Sequence, residues 1–133
     1  MTQYDSSPSS ALMVAVQSYF DALYHCDVDL LDQVFHPSAS LFDADEGRIF
    51  VDPIACYRDT IFRRTSPAQS NAVRQDEILY VDSLSEVSAT VKVRVRIHND
   101  IFVDHLMFAK EGNAWRIVAK LWSLQKQLDS EPS

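Results

Sequence analysis

Glycine and cysteine occur only twice each in these 133 residues. With Gly47 and Gly112 far apart, no glycine-rich loop is available to cradle a phosphate. Cys26 and Cys56 fall in predicted helices without C-x-x-C spacing, so ordinary thiols are expected rather than a disulfide. The four histidines, His25, His36, His98 and His105, show neither H-x-x-x-H nor H-E-x-x-H spacing. A metal site could therefore arise only by assembly across elements, and neither metal nor cofactor is expected. Ser123 has no nucleophile elbow around it, which argues against serine hydrolase chemistry. Positive charge is scarce as well: 12 Lys and Arg stand against 19 Asp and Glu, a net charge of -7. Phosphate neutralisation needs clustered cations, so nucleic acid is not an expected partner. No stretch approaches the roughly 20 apolar residues that span a bilayer. Met1 to Ser10 is polar and acidic rather than basic and then apolar. A cytoplasmic protein without membrane contact is the expectation.

What is present is a change of period. Ser7 and Pro8 suit a helix start, and Leu12, Val16, Tyr19, Phe20 and Leu23 repeat at helical spacing up to about Cys26. Asp27 or Asp29 can cap a short second helix that Pro37 must stop. Ala39 to Asp45 and Arg48 to Val51 read as a small hairpin turning at Glu46 and Gly47. Asp52 as cap and Pro53 as first residue open a third helix carrying Ile54, Tyr57, Arg58, Ile61 and Phe62 before Pro67. From Val73 the period becomes two, and four strands follow: Val73 to Ser83, Glu86 to His98, Ile101 to Lys110 and Ala114 to Leu124. The order predicts one α+β domain over residues 8–126, with residues 1–7 and 127–133 as frayed termini.

A hairpin turning at Asn99 and Asp100 pairs Ile97 with Phe102, Val95 with Asp104, Val93 with Leu106 and Val91 with Phe108. One face is then apolar except for Asp104. The other carries Lys92, Arg94, Arg96 and His98 against Val103, His105, Met107 and Ala109. A last turn at Gly112 and Asn113 pairs Phe108 with Ile117 and Asp104 with Leu121, which puts Leu121 inside and Val118, Lys120 and Trp122 outside. That outer face is half apolar. Val103, Met107, Val118 and Trp122, with Arg94, His105 and Lys120 beside them, form a predicted dimer interface.

F-H-P-S-A-S-L at Phe35 to Leu41 and K-E-G-N-A-W-R-I-V-A-K-L-W at Lys110 to Trp122, with the order of elements, resemble the Putative lumazine-binding family. That family lies within the nuclear-transport-factor-two-like superfamily, beside ketosteroid-isomerase-like and polyketide-cyclase-like proteins. The resemblance covers Leu12 to about Leu124. It implies a cystatin-like, nuclear-transport-factor-two-like cone: three N-terminal helices on a curved, mainly antiparallel sheet, with a pocket at the open end. It also implies a homodimer through the outer sheet face. Fold likeness alone does not select a chemistry, because this superfamily hosts isomerases, dehydratases, cyclases and binding modules.

Asp104 is the residue to explain. In apolar surroundings desolvation favours a protonated carboxyl, whereas hydrogen bonds and nearby cations favour a carboxylate. It could serve a ligand or act as general acid or base, or it could accept a hydrogen bond from Tyr19, Tyr24, Tyr57 or Arg58 and fix their packing. Tyr19, Tyr24, Tyr57, Arg58, Phe102, Asp104 and Leu121 are the candidate pocket residues. His36 reads as a helix-terminal residue, and His105, on the opposite face from Asp104, cannot form a dyad with it. Asp43, Asp45 and Glu46 lack calcium-loop spacing and read as a solvated turn. Three functions fit: a binding domain for a small, flat, largely apolar ligand; a cofactor-independent isomerase, dehydratase or cyclase using Asp104; and a dimeric interaction module with a filled core. A donor or titratable group beside Asp104 would separate the first two, and a cavity would exclude the third.

Overall fold

The hydroxyl of Ser9 accepts a hydrogen bond from Leu12 N at 3.0 Å and starts the first helix, α1, Ser10–His25. Ser9 is also the first of the residues, 9–129, that this computed structural model describes. Leu12, Val16, Tyr19, Phe20 and Leu23 are buried along one stripe, as their spacing predicts. Cys26 ends the helix in the left-handed region at φ 48°. Asp27, not Asp29, caps α2 (Val28–Val34) by accepting from Leu30 N at 3.1 Å.

The chain then runs directly into β1 (Phe35–Asp43), which pairs antiparallel with β2 (Phe50–Pro53) across a longer connection than the predicted Glu46–Gly47 turn. Asp52 belongs to β2, opposite Leu41, and does not cap α3 (Ile54–Arg63); Pro53 occupies the cap position without a side-chain bond. Four strands follow: β3 (Asp76–Ser85), β4 (Ser88–Ile97), β5 (Asp100–Glu111) and β6 (Ala114–Gln127). The sheet order is β2-β1-β6-β5-β4-β3, with β1 and β6 parallel and every other neighbour antiparallel. This is a cystatin-like, nuclear-transport-factor-two-like α+β fold.

The β4–β5 turn lies one residue earlier than predicted, at His98 and Asn99. Val95 therefore pairs with Phe102, Val93 with Asp104 and Val91 with Leu106. His98 takes φ 55°, its Nε2 lies 3.0 Å from Thr65 O, and Arg96 Nε donates to its carbonyl at 2.7 Å. These contacts hold the turn there. Each pair shifts by two residues, so every side chain keeps its predicted face.

The β5–β6 pairing has a different outcome. Phe108 meets Ile117 as predicted, but Met107 then meets Ala119, Leu106 meets Lys120, and Asp104 meets Trp122. Val118 is an extra residue in β6, a β-bulge, and alternation restarts out of phase beyond it. Lys120, expected outside, is only 5% exposed; Leu121, expected inside, is 55% exposed. Trp122 moves with Lys120 to the inner side and packs on the apolar cluster beneath the helices.

At the C-terminal end, Gln127 is still within β6 and Leu128 N donates to Asn99 O at 2.7 Å, so the expected fraying does not begin at 127. The predicted N-terminal tail, residues 1–7, the expected helix start at Ser7 and Pro8, and residues 130–133 of the predicted C-terminal tail lie outside the described residues. Among the described residues no helix is long and apolar enough to cross a membrane.

Val91, Val93, Leu106, Phe108 and Ile117 form the sheet side of the core. Phe108→Ala should lower the unfolding free energy by about 3–5 kcal/mol in urea denaturation, through lost burial and the cavity left behind. A loss under roughly 1 kcal/mol would place Phe108 outside the packed core.

Candidate functional site

Three elements converge on Asp104. The α1 stripe delivers Tyr19, fully buried, whose hydroxyl donates to Asp104 Oδ2 at 2.5 Å. The bulge in β6 delivers Lys120, whose Nζ lies 3.8 Å from the same oxygen. From α3 comes Tyr57. The Lys120 ammonium lies 5.2 Å from the Tyr19 ring centroid and 5.0 Å from that of Tyr57, within cation–π range of both. Phe35 packs against both tyrosine rings, at 6.1 and 6.4 Å between centroids, and so holds this cage in place. Asp104 is 1% exposed, and its Oδ1 has no hydrogen-bond partner among the described residues. Burial, and then the neighbouring Asp104 charge, push the Tyr19 phenol well above its usual pKa.

Beside this cluster is a cavity of about 440 Å³. Its walls include Leu23 of α1, Leu41 of β1, and Val95, Ile97, Phe102 and Trp122 of the meander. Phe102 and Trp122 meet edge to face at 5.6 Å. Asp104 and Lys120 form the buried end, while the exposed Phe50 and Val51 of β2 mark the open rim. Asp43, Asp52, Thr60 and Arg64 supply the remaining polar lining. Burial pushes the Asp52 carboxyl above its usual range.

Of the candidate pocket residues, Tyr57, Phe102 and Asp104 line this cavity. Tyr19 lies behind Asp104 rather than in the lining. Tyr24 faces elsewhere: its hydroxyl donates to Ala72 O at 2.8 Å and its ring carries the Arg74 guanidinium. Arg58 pairs with Asp32 at 2.9 Å and is remote from Asp104, because position 58 lies off the Tyr57–Ile61 stripe of α3. Leu121 is on the outer face because of the bulge. Lys120, Trp122, Arg64 and Asp52 are among the lining residues that sequence reasoning did not assign to the pocket. Arg64 had a signal, since 57, 61 and 64 share one helical face.

The outer face retains Val103, His105, Met107 and Val118, with Arg94 held by Glu77 at 2.5 Å and Gln125 at 3.0 Å. Leu121 replaces Trp122 in it. His36 Nδ1 accepts from Ser38 N at 3.1 Å, a local turn contact. Asp45 is more than a solvated turn residue: it accepts from Ser123 Oγ at 2.7 Å and Leu124 N at 2.8 Å, fastening the β1–β2 connection over β6. Those bonds hold its carboxyl below the usual range. Among the described residues no group of His, Cys, Asp and Glu could hold a metal ion.

Tyr19→Phe removes the direct donor to a buried carboxylate and should cost about 1–3 kcal/mol at pH 7. It should also change the alkaline limb. A phenol with a raised folded pKa contributes stability fully present below its unfolded value, about 10, and lost as pH rises toward the folded value. Urea midpoints measured from pH 8 to 11 should therefore fall more steeply above about pH 10 in the wild type than in Tyr19→Phe. Parallel curves would contradict the buried placement of this phenol.

The fold recurs in solved structures. A protein of unknown function from Silicibacter pomeroyi, described as NTF-2 like, matches with a TM-score of 0.77 and 22% identity, covering 87% of this chain and 94% of that one. An NTF2-like protein of unknown function from Shewanella baltica matches with a TM-score of 0.77 and 17% identity over 91% and 100% of the two chains. A ketosteroid isomerase-like protein from Erwinia carotovora atroseptica gives 0.66 and 13% over 88% and 95%. No curated protein matches the chain. The family model described as Putative lumazine-binding matches residues 7–123, and with the fold above this establishes that the chain belongs to that family.

Proposed function

We propose that this chain is a small-molecule-binding domain whose ligand, flat and largely apolar, occupies the cavity between α1, α3 and the inner sheet face. The observation that carries this reading is the cavity itself. At about 440 Å³ it is within the range of small-ligand pockets, and aliphatic and aromatic walls meet a few polar groups at its buried end. A filled interaction module has no use for such a space. The enzymatic alternative has weaker support. Tyr19 donates to Asp104 Oδ2, Lys120 stands beside the same oxygen, and Asp104 is almost without exposure, so only Oδ1 is left without a partner for a substrate to use.

Trp122 is a built-in reporter because it lines the cavity. Flat aromatic compounds that bind should change tryptophan emission and raise the melting temperature, with a stabilisation of about 2.7 kcal/mol at 100 times Kd. Thr60→Trp, which places bulk in the cavity from α3, should abolish both responses and leave the fold intact. Binding undiminished by Thr60→Trp would put the ligand elsewhere.

We also propose that a second copy covers the outer face. Met107, Val118 and Leu121 are 51%, 39% and 55% exposed there, and the resemblance to the family points the same way. A two-fold interface should bury about 1,200–2,000 Å² in total. Sedimentation at micromolar concentration should give a dimer, and Leu121→Asp a monomer. A wild-type monomer, or a dimer insensitive to Leu121→Asp, would exclude this face.

A further inference from the structure

The cavity contains a cation with unused hydrogen-bonding capacity. An ammonium has three donors. Among the described residues, Lys120 Nζ has one charged partner, Asp104 Oδ2 at 3.8 Å, which is beyond hydrogen-bond distance. Its other neighbours are the two tyrosine rings, which attract the charge but do not replace a strong acceptor. Arg64 lines the same cavity, and among the described residues no side chain pairs with its guanidinium. A buried charge without hydrogen bonds is costly, and here the lysine is 5% exposed. The acids of the lining do not supply the missing acceptor. Asp104 Oδ2 accepts from Tyr19 and stands 3.8 Å from the ammonium, Asp104 Oδ1 makes no hydrogen bond to it or to any described residue, Asp43 accepts from the backbone of Asp45, and Asp52 lies on β2 with the exposed rim residues.

We infer that the ligand carries an anionic oxygen group, a carboxylate on a flat aromatic or polycyclic body, and that Lys120 receives it at the buried end of the cavity. Asp104 and Tyr19 then act as positioning residues: they hold the ammonium between the two rings, and the apolar walls receive the body of the ligand. Arg64 adds a second positive charge to the lining and favours the same sign of head group.

This inference rests on the ligand-binding reading, and the test separates the two. The probes are 2-naphthoate and its neutral isostere 2-naphthamide, titrated against tryptophan emission at pH 7.5. In the wild type the carboxylate should bind at least about tenfold more tightly than the amide, and the advantage should shrink with added salt. The double variant Asp104→Asn with Lys120→Met removes both members of the pair together, so no unmatched charge is left in the core. It should bring the two probes within about twofold of each other. Arg64→Met, in the intact Asp104–Lys120 background, should reduce the ratio of naphthoate to naphthamide affinity. Equal binding of the two probes to the wild type would overturn the anion inference and leave the cavity reading standing. A carboxylate preference that survives in the double variant would overturn the role of Lys120. If neither probe binds at millimolar concentration, both readings fall.

Discussion

Asp104 and Lys120 can occupy the interior only together. Each is almost wholly removed from water, and either one alone would leave an uncompensated charge among Leu, Val and Phe side chains. Their 3.8 Å separation lets each offset part of the other's desolvation, and the Tyr19 hydroxyl and two tyrosine rings supply more of what water would have given. The rest of the site follows from this pair. Tyr19 sets where α1 lies against the sheet, Phe35 braces both rings, and the cavity opens beside the ammonium because no side chain fills the remaining space.

The pair exists because of one extra residue in a strand. Val118 offsets β6 by one position, turning Lys120 and Trp122 inward and Leu121 outward in a single step. Regular alternation would have placed the lysine on the surface, left Asp104 without a cation, and removed an aromatic wall from the cavity. Bulges re-aim side chains in this way, and here one bulge changes both faces of the sheet. It builds the polar end of the inner cavity and makes the outer face more aliphatic.

Elements whose signals are local were legible in the sequence. The α1 stripe, a cap on α2 at Asp27 or Asp29, the Gly112–Asn113 turn and the inward placement of Asp104 all follow from periodicity and turn chemistry. The two-residue shift at His98 left every face intact because the strand period is two. The bulge was legible in principle. Trp115 and Ile117 occupy odd positions and Lys120 and Trp122 even ones, so the closing motif already holds two alternating runs out of phase. Uniform alternation hid it, because Lys reads as an outer residue until a buried partner is known. Asp52 was hidden differently: an Asp before a Pro is a strong cap signal, and only the pairing of β2 with β1 shows it to be a strand residue. That Arg58 turns to Asp32 depends on how α2 and α3 meet, which no local pattern encodes.

The central claim is that Asp104 and Lys120 are buried partners across the β5–β6 ladder. A double-mutant cycle on unfolding free energy with Asp104→Asn, Lys120→Met and the combined variant measures this coupling directly. Each single variant should be strongly destabilised because it strands the remaining charge, and the double variant should be much closer to wild type than their sum, with a coupling of about 1–3 kcal/mol. Additive effects within roughly 0.5 kcal/mol would contradict the pairing and with it the inward turn of β6.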